Sequence, residues 1–131
     1  MTRAVQRQDL IYPELCYEII GVLFDVWTQI GAGHKEKVYQ KAVSRGLEGA
    51  GLKSKEQLPA RIQYEERLVG TYYFDFLVNH RVILEIKARN YFSVNDIRQL
   101  YSYLKASGLK LGIIAHFTRS GVKFKRVVNL A

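Results

Sequence analysis

A chain of 131 residues, 48% of them apolar, falls within the range of one compact domain and can bury a sizeable core. Twenty Lys and Arg against twelve Asp and Glu leave a net charge of +8, which favours an anionic partner such as nucleic acid. The single cysteine excludes an intrachain disulfide, scattered histidines argue against structural zinc, and no signal-peptide core or run of ~18 apolar residues is present, so a cytoplasmic protein is expected.

Residues 1–12 read as a flexible N-terminal segment. Pro13 at a first-turn position, followed by Leu15, Ile19, Val22, Leu23, Val26 and Ile30, predicts an amphipathic helix over about 13–30. Cys16 shares its apolar stripe and reads as a packing residue, and Gly31-Ala32-Gly33 ends the helix. A second helix follows over about 34–50, weakened at its end by Gly46, Gly49 and Gly51, and the polar run Lys53 to Gln57 leads toward a sheet.

From there the periodicity is two. Strands are expected over about 59–65, 68–78 and 82–88, linked by polar turns at Glu66-Arg67 and at Asn79-His80-Arg81. Ser93 then caps a helix over about 94–106, with Val94, Ile97, Leu100, Tyr101 and Leu104 on one face and a stop at Ser107-Gly108. Leu111 to Phe117 is apolar throughout, as a central strand covered on both faces would be, and Val122 to Leu130 reads as an edge strand. The order α-α-β-β-β-α-β-β, uninterrupted by repeats or linkers, describes a single α/β domain.

Chemistry concentrates at Glu85-Ile86-Lys87, where an otherwise buried strand carries a carboxylate and an ammonium on one face. Unpaired charges are costly to bury, so such a pair calls for a metal, a partner or a substrate. Phosphodiester hydrolysis needs a divalent metal, and hard ions such as Mg²⁺ take oxygen ligands, which Asp75, Glu85 and the Ile86 carbonyl offer. Lys87 would orient the nucleophile and stabilise the transition state. A three-residue loop Asn79 to Arg81 pairs Val78 with Val82 and sets Asp75 across from Glu85, whereas a two-residue turn points Asp75 away. An odd loop or a bulge is therefore predicted, with Asn79 or His80 in a left-handed conformation. Glu36 and Tyr39 share a face of the second helix, and Gln99 with Tyr103 form an i, i+4 pair on the third; each also fits an ordinary solvated face.

These residues resemble the GxxExxY protein family of the PD-(D/E)XK nuclease-like superfamily, from about Pro13 to Asn129. Gly33, Glu36 and Tyr39 stand as the named motif, Phe74-Asp75-Phe76 as the acidic strand position, Glu85-Ile86-Lys87 as the E-x-K, and Gln99 to Tyr103 as the Q-x-x-x-Y helix. Phe74 replaces the proline that precedes the aspartate in the superfamily name. The resemblance implies a restriction-endonuclease-like mixed sheet of four to five strands flanked by helices. It also implies a Mg²⁺ or Mn²⁺ site at Glu36, Asp75 and Glu85, with Lys87 and Gln99 assisting phosphate and water.

The expected function is a metal-dependent nuclease acting on DNA or another nucleic acid. The alternatives are an inactive nucleic-acid-binding module of the same fold and a protein-interaction domain in which Glu85 and Lys87 form a buried ion pair. Arg89, Arg98, Lys105, Lys123 and Tyr103 are candidate nucleic-acid contacts, with Lys110, Arg119, Lys125 and Arg126 available beside them. Lys123 and Lys125 also fit a charged edge strand, and Tyr72, Tyr73, Tyr91 and Phe92 fit base stacking or core packing.

Overall fold

Pro13 fixes the backbone at the start of helix α1 (Pro13–Ile30), and Gly31, at φ 74°, ends it by returning its N–H to the Trp27 carbonyl. The computed structural model describes residues 11–130, so the expectation for the N-terminal segment falls largely outside the described residues. Ile11 and Tyr12, the described end of that segment, pack against the core. The remaining elements are α2 (Glu36–Gly49), β1 (Ser54–Tyr64), β2 (Arg67–Val78), β3 (Val82–Lys87), α3 (Val94–Ser107), β4 (Leu111–Thr118) and β5 (Gly121–Val128).

The strands form one five-stranded sheet in the order β1-β2-β3-β4-β5. Every neighbouring pair is antiparallel except β3 and β4, which run parallel across the α3 crossover. The chain is thus a single α/β domain with a mixed sheet, in the predicted element order. All eight residues of β4 are buried, as a strand covered on both faces requires. Among the described residues no helix is long and apolar enough to cross a membrane.

Two cores flank the sheet. Ile19, Leu23, Val43 and Leu47 of α1 and α2 pack on Phe76, Leu84, Ile86, Ile113 and Phe117 on one face. On the other, Leu100 and Leu104 of α3 pack on Phe74, Ile83, Ile114 and Val127. Fully burying one such side chain contributes about 1.5–3 kcal/mol. Gly112 sets the α3 spacing, since a Cβ there would lie 2.6 Å from Leu100 Cδ2.

Four departures from the expected elements have physical causes. Strand β1 begins at Ser54, ahead of its expected start, because it is an edge strand whose largely exposed side chains carry no apolar alternation. The β1–β2 turn sits at Glu65-Glu66, one residue early, with both residues at positive φ as a tight hairpin turn requires. On α3 the buried stripe centres on Leu100 and Leu104, which carries Tyr103 inward and leaves Val94 59% and Tyr101 39% exposed. Ile30, at the end of α1, also points largely outward.

The β2–β3 loop is the predicted odd one. Val78 pairs with Val82, and Asn79 and His80 are left-handed at φ 50° and 58°. Asn79 also fastens the loop to β1, its N–H donating to the Lys53 carbonyl at 2.7 Å and its Oδ1 accepting the Lys53 N–H at 2.9 Å.

Candidate active site

Regular pairing of β2 with β3 runs from Val78↔Val82 to Phe76↔Leu84 and then stops. At the next position side chains take over the backbone's hydrogen bonds. The Asp75 N–H donates to Glu85 Oε1 at 2.9 Å, and the Ile86 N–H donates to Asp75 Oδ2 at 2.7 Å. Each carboxylate therefore closes on the other strand, which satisfies two buried amides and locks both side chains in place.

Strand β2 changes faces at the same point. Tyr72 and Phe74 pack in the α3 core, while Phe76 and Val78 pack in the core under α1 and α2. Opposite Asp75, Gln57 of β1 is at φ 55°, so both strands carry the irregularity together. This break lets Asp75 reach α2, where Gln40 Nε2 donates to Asp75 Oδ1 at 2.9 Å. On the other side the Tyr72 hydroxyl donates to Glu85 Oε2 at 2.5 Å, and Lys87 Nζ stands 3.6 Å from the same oxygen.

Asp75 and Glu85 are 7% and 4% exposed. Burial, reinforced by the charge of Asp75, pushes the Glu85 carboxyl up to about 7, against the opposing pull of its donors and Lys87. Burial likewise raises Asp75, with the Glu36 charge adding to it. Burial and the Glu85 carboxylate drive the Tyr72 phenol far upward, so that it remains a hydrogen-bond donor. Two buried acids beside one ammonium leave a surplus of negative charge.

That surplus suits a hard divalent cation. Each of the four carboxylate oxygens has one hydrogen-bond donor and keeps lone-pair capacity for a ligand bond. Among the described residues no group of three or more His, Cys, Asp or Glu side chains stands at metal-holding spacing. Mg²⁺ commonly takes only one or two carboxylates, leaving waters and substrate phosphates to complete its shell, so Asp75 and Glu85 fit it.

The other sequence-predicted residues fall into three groups. Glu36 opens α2 and its Oε1 accepts the Ala88 N–H at 3.3 Å, which ties the helix to the end of β3 beside the carboxylate pair. Tyr39 is buried, stacks on Phe117 at 4.3 Å and donates its hydroxyl to the Gly31 carbonyl at 2.6 Å. It thereby fixes the break between α1 and α2, where Gly33 holds φ 91°. Gln99 and Tyr103 turn toward the sheet and, with Tyr72 and Phe74, line a cavity of about 340 Å³ on the α3 face. Gln99 makes no hydrogen bond to either carboxylate.

None of the candidate nucleic-acid contacts Arg89, Arg98, Lys105, Lys123 and Tyr103 bonds to either carboxylate. Arg89 forms an ion pair with Asp96, Lys105 lies over the Tyr101 ring, and Arg98 and Lys123 are exposed on α3 and β5. Phe92 stacks on His116 at 3.9 Å and carries Lys125 above it. Tyr73 and Tyr91 are exposed. His116 is 1% exposed and neither ring nitrogen has a hydrogen-bond partner. Burial, aided by the Arg89 and Lys87 charges, lowers it to about 4, which keeps it neutral.

As partners of the two carboxylates, Gln40 and Tyr72 are not read from the sequence. Gln40 has a signal, since it stands one turn beyond Glu36 on the same helical face. Tyr72 has none, because strict alternation along β2 hides the change of face at Asp75.

This sheet, with two acids and a lysine where β2 and β3 part, defines a nuclease-like α/β domain. The chain belongs to the PD-(D/E)XK nuclease superfamily, whose family model matches residues 13–127. Nucleases of that superfamily generally use divalent metals. A solved structure described as "Crystal structure of SSO0001" shares the fold, with a TM-score of 0.54 and 14% sequence identity over 94% of this chain. The chain spans 60% of that protein's length. No curated protein sequence matches this chain.

Proposed function

We propose that this protein is a metal-dependent nuclease of the GxxExxY type that hydrolyses phosphodiester bonds in nucleic acid, DNA foremost, in the cytoplasm. The observation that carries the reading is the reciprocal closure of Asp75 and Glu85 across β2 and β3 with Lys87 beside them. Asp75 and Glu85, with the Ile86 carbonyl, would hold Mg²⁺ or Mn²⁺, which supplies a Lewis acid for the phosphate and a more acidic water. Lys87 holds the attacking water and offsets charge gathering on the phosphate oxygens. Tyr72 and Gln40 keep the two carboxylates in place. Glu36 fixes the rim through Ala88, and Gln99 contributes from the α3 side.

Incubating the protein with plasmid and single-stranded DNA in Mg²⁺ or Mn²⁺ tests this. Cleavage by the wild type that is lost in Glu85→Ala and in Lys87→Ala supports it; Lys87→Ala should lower turnover about 10²–10³-fold, the range for removing one electrostatic stabiliser. Cleavage surviving both substitutions would come from a contaminant and sink the assignment. One observation favours a second reading, a binding module without turnover: Glu36 is engaged by the Ala88 N–H rather than grouped with the other two acids. Salt-dependent DNA binding with no calorimetric heat on adding Mn²⁺ would select it.

A further inference from the structure

Beside Asp75 a cleft of about 370 Å³ opens between α2 and β1, and Lys37, Lys41 and Arg45 line it. These three cations stand four residues apart on α2, so they form one stripe with a rise of roughly 6 Å per step. All three are exposed, and among the described residues none of them forms an ion pair. Like charges on successive turns oppose helix formation, so the stripe is not explained by the stability of α2. The cleft's other acid besides Asp75, Glu56, accepts a hydrogen bond from Ser44 at 2.6 Å. At the inner end Gln40, from the same helix, donates to Asp75.

We infer that Lys37, Lys41 and Arg45 form a phosphate-binding track that leads one nucleic-acid strand along α2 into the carboxylate site. The inference rests on the nuclease reading and adds the strand's path. Each cation neutralises one phosphate of a strand lying in the cleft, and the spacing between turns is comparable with that between successive phosphates of an extended strand. The track meets the carboxylate site beside Lys37 and Lys41, where Gln40 reaches Asp75 and where Asp75 and Glu85 would hold the metal that binds the reacting phosphate. The candidate cations of α3 and β5, Arg98, Lys105 and Lys123, lie outside it.

The test is fluorescence anisotropy of short labelled DNA, single-stranded and duplex, titrated with the full chain in EDTA between about 50 and 200 mM salt. The Lys37→Gln/Lys41→Gln/Arg45→Gln variant is compared with an equally neutralised control, Arg98→Gln/Lys105→Gln/Lys123→Gln. Each phosphate contact contributes about 0.7–0.9 to the slope of log affinity against log salt, so the α2 variant should lose about 2–3 from that slope and the control less than about 1. Whether the loss is seen with the single strand or the duplex identifies which form occupies the track. Wild-type binding with an unchanged slope in the α2 variant overturns the track and leaves the nuclease reading standing. No wild-type binding to either DNA overturns the track, and cleavage of DNA in Mg²⁺ or Mn²⁺ decides the nuclease reading separately. Helical circular dichroism verifies the fold. If the triple variant misfolds, Lys41→Gln compared with Arg98→Gln decides between the same outcomes, with an expected loss of about 0.7–0.9 from the slope in the first and no change in the second.

Discussion

The two halves of β3 teach opposite lessons. Val82, Ile83 and Leu84 pair regularly with β2, are fully buried and serve packing. Glu85, Ile86 and Lys87 continue the same strand and keep their pairing with β4, but on the β2 side the ladder gives way to carboxylates. The proposed site begins where backbone pairing ends, because there the sheet leaves amides that an acid can hold in a defined orientation. One half of the strand should therefore lose stability when cut back, and the other should gain it when neutralised.

Leu84→Ala sharpens the contrast most. It removes a side chain at 0% exposure and should cost about 2–5 kcal/mol in urea unfolding. A cost below about 1 kcal/mol would show that the regular half is not the rigid half. Gly112→Ala follows: its new Cβ must displace Leu100, which should cost about 1–3 kcal/mol and leave the carboxylate pair intact.

Glu85→Gln should move stability the other way. The folded-state carboxyl is raised from 4.5 to about 7, so its stabilising contribution is complete below 4.5 and is lost as pH rises through 7. At pH 8 without metal the variant should be more stable than the wild type by about 1–3 kcal/mol, and its melting temperature should no longer fall between those two pH values. A variant that melts lower at pH 8 would refute the surplus-charge account.

His116→Phe has the smallest effect at neutral pH, within about 1 kcal/mol, since it replaces an unpartnered ring with an apolar one under Phe92. His116 is lowered from 6.5 to about 4, so its contribution is present above 6.5 and lost as pH falls toward 4, opposite in sign to that of Glu85. Melting curves across that window should show the wild type losing more stability in acid than the variant.

Much of this architecture was legible in the residues. Period and punctuation gave the element order, with Pro13 marking a helix end by its fixed φ, Ser93 by its side-chain cap and Gly108 by its left-handed backbone. Parity across the Asn79 to Arg81 loop set Asp75 opposite Glu85, because register in a hairpin follows from loop length. Strand β1 was legible only in part, as an edge strand facing solvent obeys no apolar alternation. The local change of face at Asp75 and Gln57 was not legible either, and with it went Tyr72. The basic stripe on α2 was hidden for a different reason: it resembles the solvated side of any helix until the sheet places Asp75 at its foot.

Trp27 is the chain's only tryptophan, and its Nε1 donates to the Thr118 carbonyl at 3.1 Å, bridging α1 to the end of β4. Its fluorescence is therefore a built-in reporter of whether the first helix is seated, and stopped-flow refolding can follow that docking without any attached dye. A red shift in its emission ahead of the loss of far-ultraviolet ellipticity would mark α1 as the first of the described elements to detach.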